Sequence, residues 1–277
     1  MTIITLAAYC CGALFCAINA CSAADASVFE CGQAAGEQRV LTVDGVDYAF
    51  RWAPPGTFTM GSPEDEEERH SYETQHEVTL TKGFWILETE TTQEMWQSVM
   101  GENPSEWKGE KRPVDSVGLE EIDVFCAKLR EAAKAPEGVL FQLPTEAQWE
   151  YAARAGCADQ YGGKPIDEVA WYGDRDFGGT RDVAQKAPNA WGLYDTLGNL
   201  WEWCVDRYGA YATDESGKGV AVTDPTGATP EECPGNIRVD RGGCWDSQPY
   251  ECRVGNRGYY DHDRKGPYVG FRFVIIP

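Results

Sequence analysis

An α+β fold with long irregular connections is what this 277-residue chain predicts. Three observations carry that expectation. The first part alternates apolar and polar residues as half-buried strands do. The middle holds three segments with helical period and capping signals. The remainder, 157–277, is rich in Gly, Asp, Asn, Pro and aromatics and loses the helical period. With 42% hydrophobic residues and 12% aromatics there is enough apolar surface for a real core, which excludes global disorder.

The elements follow in order. Leu41, Val43, Val46, Tyr48 and Phe50, then Phe58 and Met60, alternate as strands. Residues 63–77 (PEDEEERHSYETQHE) are dense in charge and predict an exposed loop. Strand character resumes at Glu77-Val78-Thr79-Leu80 and Phe84-Trp85-Ile86. Thr91 with Glu94 fits a capping box for a first helix. Ile122, Phe125, Cys126 and Leu129 share one face of a second, over 119–133. Thr145 and Gln148 fit a capping box for a third, which buries Trp149, Ala152 and Ala153. Beyond Gly156 only short strand-like pieces such as 270–274 stand out. No internal repeat divides the chain, so 41–277 is expected to be one domain, preceded by a tether at 22–40.

The formal net charge of -21 opposes a nucleic-acid partner. Beyond residue 25 no apolar run reaches a membrane span, which excludes a multi-span protein. Residues 1–21 are apolar and uncharged and look like an export signal. Ile18-Asn19-Ala20-Cys21 resembles a bacterial lipoprotein cleavage box, which makes Cys21 the candidate lipidation site and membrane anchor. The expected location is the outer membrane, with the domain exposed at the cell surface and acting as a monomer. Of eleven cysteines, seven lie beyond residue 21, an odd number, with no CxxC and no Cys/His zinc spacing. Mostly buried thiols are expected, with room for one or two disulfides.

The motifs narrow this further. Phe58-Thr59-Met60-Gly61-Ser62, His76-Glu77-Val78-Thr79-Leu80, the run from Leu143 to Arg154, the run from Gly192 to Cys204, Arg241-Gly242-Gly243 with Trp245, and Gly270-Phe271-Arg272 occur in order. Together they resemble the formylglycine-generating-enzyme-like (sulfatase-modifying factor) family over residues 50–273. The resemblance implies a variant of the C-type lectin fold with little regular structure. Trp149, Trp201, Trp203 and Trp245 are expected to pack where regular elements are scarce. Arg241, Arg253 and Arg272 are expected to bridge interior carbonyls and carboxylates. In relatives the motif holding Asn199 and Glu202 helps bind calcium, which makes these two the candidate structural-ion ligands.

The same resemblance bears on catalysis. Family oxidases hold copper on two cysteines five positions apart, a soft-ligand pair suited to Cu(I). The second position matches Cys252, but the first falls on Ser247, which cannot supply a thiolate. Iron-dependent relatives that form carbon–sulfur bonds need a helical domain with a histidine triad, whereas this chain has three histidines in all. A non-enzymatic role is therefore expected.

Residues 238–277 differ from the rest. Seven basic and five acidic residues make the segment +2, against -23 for the remainder of a chain at -21. Clusters of Asp, Ser, Tyr, Asn, Gly and His lie between fixed-looking Gly, Trp, Arg and Phe positions. That is the composition of a recognition surface. The Gly-Gly-x-Trp start, Cys-Arg-Val-Gly middle and Gly-Phe-Arg end also resemble the variable region of retroelement-diversified proteins. In those, adenine-directed mutagenesis rewrites chosen codons. Asp246, Ser247, Tyr250, Asn256, Gly258, Tyr259, Tyr260, Asp261, His262, Asp263, Pro267 and Tyr268, within a region of about 240–272, fall in the set such codons reach. They are the candidate ligand-contacting positions. The expectation is a binding protein for a protein or host-surface ligand. The alternatives are an accessory protein with a fixed partner and, behind it, the copper oxidase.

Overall fold

The computed structural model describes residues 27–173, 178–263 and 265–277. The expected export signal and lipidation site at Cys21 lie outside the described residues.

A five-stranded sheet begins the fold. Strands β1 (Gln38–Val43), β2 (Val46–Ala53) and β5 (Phe84–Leu87) join β14 (Val274–Ile276) and β6 (Leu140–Gln142) in the order β1-β2-β5-β14-β6. The chain's last strand therefore sits between strands from its first half. Beside it β3 (Gly56–Met60) and β4 (His76–Leu80) pair antiparallel, with β10 (Val222–Thr223) parallel to β4. The continuous alternation over 41–60 is thus cut into three strands by a turn at Asp44-Gly45, where both residues have positive φ, and by Pro54-Pro55.

The predicted helices form close to their expected bounds. Helix α1 (Gln93–Met100) is capped by Thr92, whose Oγ1 accepts from Met95 N at 3.2 Å, one residue after the expected Thr91. Helix α2 spans Leu119–Ala132 and buries Ile122, Phe125, Cys126 and Leu129. Helix α3 (Glu146–Arg154) carries both bonds of its predicted box, Gln148 N to Thr145 Oγ1 at 3.1 Å and Thr145 N to Gln148 Oε1 at 2.9 Å. A one-turn α4 (Ile166–Val169) and a short pair, β7 (Ala170–Trp171) with β8 (Leu197–Gly198), have no periodic signal long enough to announce them.

The main core lies between the five-stranded sheet and helices α1 and α2. Phe125 stacks on Trp96 at 5.3 Å and meets Phe271 edge-on at 5.6 Å, while Phe50 meets Phe273 at 5.4 Å. Each buried ring stabilises by about 1.5–3 kcal/mol. The stretch expected to be a tether is packed from its described beginning. Val28 is fully buried in this core and Trp85 Nε1 donates to Glu30 O at 2.9 Å. An isolated apolar pair, Val28-Phe29, carries no period, so the sequence alone could not assign it.

The last sheet positions the candidate surface. Its order is β12 (Gly258–Asp261), β11 (Ile237–Arg241), β9 (Trp201–Arg207) and β13 (Val269–Gly270). Strands β11 and β12 pair with Asp240 opposite Gly258 and Val239 opposite Tyr259. Arginines fill the interior below, as expected from their motifs. Arg241, Arg253 and Arg272 are each fully buried. Arg241 pairs with Glu146 at 3.0 Å and with Glu150, while Arg257 makes 2.6 and 2.9 Å bonds to Glu146.

Buried acids with raised proton affinity set a pH dependence, among them Glu90, which burial drives well above the usual carboxylate range. Burial pushes Asp206 up to about 7, with the Glu146 charge adding to it, and pushes Asp195 up to about 6. Their unfolded values lie near ~4. The folded state therefore holds protons that the unfolded chain gives up, and the stabilisation fades as pH rises from ~4 through the folded values. Glu73 and Glu146 are shifted down by their arginines and act only below ~4.5. The unfolding midpoint should consequently fall between about pH 5 and about pH 7.5, and Asp206→Asn should flatten that slope. Urea titrations at the two pH values check it, and equal slopes in both proteins would refute it.

Candidate ligand-binding surface

The C-terminal segment brings most of its candidate positions to one face. Tyr250, Asn256, Gly258, Tyr259 and Tyr260 line a cleft of about 490 Å³. Asp246, Ser247, Tyr260 and Tyr268 line a second, of about 240 Å³. Trp201, Glu251 and Tyr260 border both, so the clefts adjoin. Asp261, His262 and Asp263 continue from the end of β12, and Pro267 O accepts from Trp245 Nε1 at 2.9 Å.

Exposure divides the candidates. Tyr259 is 54% exposed, and Tyr250 and Tyr268 also face solvent. Ser247 and Asn256 do not, contrary to their reading as ligand contacts. Ser247 is buried with Oγ accepting from Cys244 N at 3.1 Å, and Asn256 is buried with Nδ2 donating to Glu251 O at 2.9 Å. Both shape the loop from within. Gly258 is a close-approach position, since a Cβ there would lie 1.9 Å from Asp240 Oδ1 and 2.9 Å from the Trp201 ring. A larger residue at 258 requires Asp240 to move, so the two positions are coupled.

Several walls of the larger cleft come from outside the segment. His70 and Tyr72 come from the acidic loop, Trp201 from β9, and Asp240 from β11. The acidic loop is far from a free surface loop. Arg253 reaches Glu73 at 2.7 and 2.9 Å and Glu66 at 2.6 Å, with its own side chain and that of Glu73 fully buried. No motif in residues 63–77 signals this role; the only clue is the excess of acid facing a tail with excess base.

The pair proposed for calcium does not fit an ion. Glu202 Oε1 accepts from Arg272 at 2.6 Å, and Oε2 accepts from Arg272 at 2.6 Å and Trp149 Nε1 at 2.7 Å. Asn199 Oδ1 accepts from Arg181 N at 2.8 Å, while its Nδ2 donates to Glu90 at 2.6 Å. Their oxygens are committed to protein donors, and a guanidinium already supplies the positive charge. A group able to hold a metal ion occurs elsewhere. Asp261, His262 and Asp263 place one donor atom each within 4.8 Å of one another, on the exposed end of the candidate segment.

The thiols form no disulfide among the described residues. Cys244 Sγ lies 3.6 Å from Ser247 Oγ. Burial pushes the Cys244 thiol up to about 11 and Cys252 well above its usual value. Among the described residues neither has the nearby cation that generates a thiolate at neutral pH.

With this architecture in view, its class is an α+β domain of the sulfatase-modifying-factor superfamily. The chain belongs to the sulfatase-modifying factor enzyme 1-like domain family, whose model matches residues 48–276. The chaperone protein LppX of Paenibacillus barcinonensis is 30% identical over 247 residues, covering 71% of this chain and 81% of that one. The formylglycine-generating enzyme of Thermomonospora curvata is 34% identical over 160 residues, and the match spans half of that enzyme's length. Among solved structures, Treponema denticola variable protein 1 superposes with a TM-score of 0.75 at 29% identity, covering 87% of this chain and 99% of that one. PvdO from Pseudomonas aeruginosa superposes with a TM-score of 0.71 at 25% identity, covering 89% of this chain and all of that one.

Proposed function

We propose that this protein is a lipid-anchored, surface-displayed binding protein of the outer membrane, built on the lectin-type variant of its family's fold. Its C-terminal segment is diversified by a retroelement and contacts a protein or host-surface ligand without turning it over. The observation that carries this is the separation of roles within 238–277. Its arginines at 241, 253 and 272 are buried in the scaffold, whereas six of the twelve candidate positions, Ser247 and Asn256 set aside as buried, line two adjoining clefts. A segment that can vary while the fold persists needs that division. Exposed tyrosines give contact area with few rotatable bonds to freeze. The overall likeness to a variable protein of a treponeme supports the same reading. The non-enzymatic role is supported by Ser247 at the first oxidase position and by the elevated Cys252 thiol.

Sequencing this locus across clonal isolates tests the proposal. We expect substitutions confined to the candidate positions, a near-repeat of the segment's coding sequence nearby and an adjacent reverse-transcriptase gene. An invariant segment without a template would sink diversification and leave the accessory protein with a fixed partner.

A further inference from the structure

A further cavity lies away from the candidate surface, and none of the twelve candidate positions lines it. It measures about 260 Å³, more than the ~150 Å³ that holds a benzene ring. Its walls come from the end of β3, from β4, β9 and β10, from the start of α3 and from the loops on either side of β10. Most of the polar side chains in these walls are committed within the scaffold. Glu146 accepts from Arg241, Arg257 and Tyr211. The three nitrogens of Arg257 end on Glu146 and on Gly209 O, the latter at 2.9 Å. The Tyr211 ring lies under the Arg257 guanidinium at 3.9 Å and beside the His76 ring at 4.5 Å.

Two side-chain acceptors stay open. Asp206 is 3% exposed and accepts from Glu146 N through Oδ2 at 2.8 Å, while no hydrogen bond from another described residue reaches Oδ1. His76 is buried with Nδ1 3.0 Å from Thr74 O. A carbonyl only accepts, so Nδ1 carries the proton and Nε2 of the neutral ring is an acceptor. No described residue donates to that Nε2. The charged and titratable groups facing Asp206 are Glu146 on α3, Arg257, Cys204 on β9 and Arg238 on β11. Arg207 and Glu232 complete the charged groups of the wall, and Arg207 Nη1 is turned to Gly235 O at 3.0 Å. Asp206 is thus buried without an ion pair among the described residues, and burial pushes it up to about 7. The proton it keeps stands in for a cation.

We propose that this cavity binds a small organic cation, an ammonium or amidinium group on an apolar body, with Asp206 as its counter-ion. The cation's N–H groups reach Asp206 Oδ1 and His76 Nε2, and its apolar body lies against Met60, Ala147, Val222 and Pro225. An anion does not suit the site, because Arg257 is already paired and a further negative charge would stand beside Glu146 and Asp206. Glu232 in the wall and the chain's net charge of -21 draw cations to the opening. Binding exchanges the Asp206 proton for the charge of the ligand, so affinity rises with pH through about 7. The site belongs to the scaffold, so it is the same whatever residues the C-terminal segment carries at its candidate positions.

Titration calorimetry on the full chain tests this with phenethylamine and benzamidine, each against its neutral counterpart, phenethyl alcohol and benzamide. We expect the cations to bind at least about fivefold more tightly than the neutral probes at about pH 8. Because only the ionised acid takes the cation, their affinity should be about tenfold higher at about pH 8 than at about pH 6, with a proton released at the lower pH. Asp206→Asn should lose both the preference for charge and the pH dependence. Charged and neutral probes that bind alike would overturn the proposal. So would a pH dependence that persists in Asp206→Asn, or no binding at millimolar probe. Ala212 is an exposed wall residue, so Ala212→Trp should block the cations without disturbing the core. If Asp206→Asn does not fold, cations that bind Ala212→Trp as they bind the wild type refute the site. A lysine within a glycine peptide that binds better than the free amines would support the site and assign the cation to a protein ligand. The reverse order would support it and assign the cation to a free small molecule.

Discussion

Replacing Arg272 by Met should cost this domain about 3–5 kcal/mol of unfolding free energy, because it strands a buried carboxylate. Arg272 is fully buried and is held on both oxygens of Glu202, itself 1% exposed. Its Nη2 also donates to Tyr194 O at 2.9 Å and Asp195 O at 3.1 Å, joining the β8 region to the end of the chain. Two further buried acids, Glu90 and Asp195, stand close enough to raise Arg272's affinity for its proton, and Glu90 is itself driven well above the usual carboxylate range by burial. Removing the guanidinium leaves three acids with no buried cation among them. Methionine keeps much of the volume, so a cavity contributes little to the loss. Urea denaturation followed by tryptophan fluorescence measures it. Lys265→Met is the control, since its pair with Glu121 at 2.7 Å is half exposed and should be worth under ~1 kcal/mol. Comparable losses in the two variants would refute the buried-charge account.

That arginine also shows what could be read from the residues alone. Its motif predicts an interior bridge, because a guanidinium offers several planar donors to carbonyls and carboxylates. Its partner could not be named, since Glu202 lies 70 positions away. Local chemistry was legible wherever the answer is local. Thr145 and Gln148 are three residues apart and form both bonds of the box. Thr91 fails as a cap for a non-local reason: it is fully buried with its N–H on Phe271 O, which leaves Thr92 to cap α1. The candidate surface divides the same way. The tail's composition points to Tyr250, Tyr259, Tyr260 and Tyr268, of which all but the half-buried Tyr260 lie exposed. The opposite wall, His70 and Tyr72, sits in a loop whose charge suggested only solvent, and it is recruited by Arg253 across more than half the chain. Asn199 and Glu202 read as ion ligands from their motif, but oxygen donors in a motif do not reveal which protein donors already claim them.

The acidic loop yields the second large effect, one in which stability and recognition part company. Arg253→Met should cost about 3 kcal/mol or more, since it leaves Glu73 fully buried without its guanidinium. Glu73 would keep Ser62 Oγ at 2.7 Å and His70 N at 3.0 Å, which offset part of the charge but none of the ion pairing. The scaffold below should survive, because Arg241 and Arg257 keep their bonds to Glu146 and Glu150, and Arg272 keeps Glu202. What should be lost first is the tie between residues 66–73 and the C-terminal segment, made through Glu66, Glu73 and the Glu68 carbonyl. His70 and Tyr72 would leave the cleft with it. Limited proteolysis should then cut within 63–75 in the variant well before any other described segment, at a temperature where the wild type is intact. Simultaneous loss of all segments would mean that Arg253 holds the whole domain together; a wild-type cleavage pattern would mean that the loop is held by its own hydrogen bonds. The first-cut result would place the candidate surface across two segments clamped by one buried arginine, and under the proposed function the tail could then vary only where Arg253 and its acids are left unchanged.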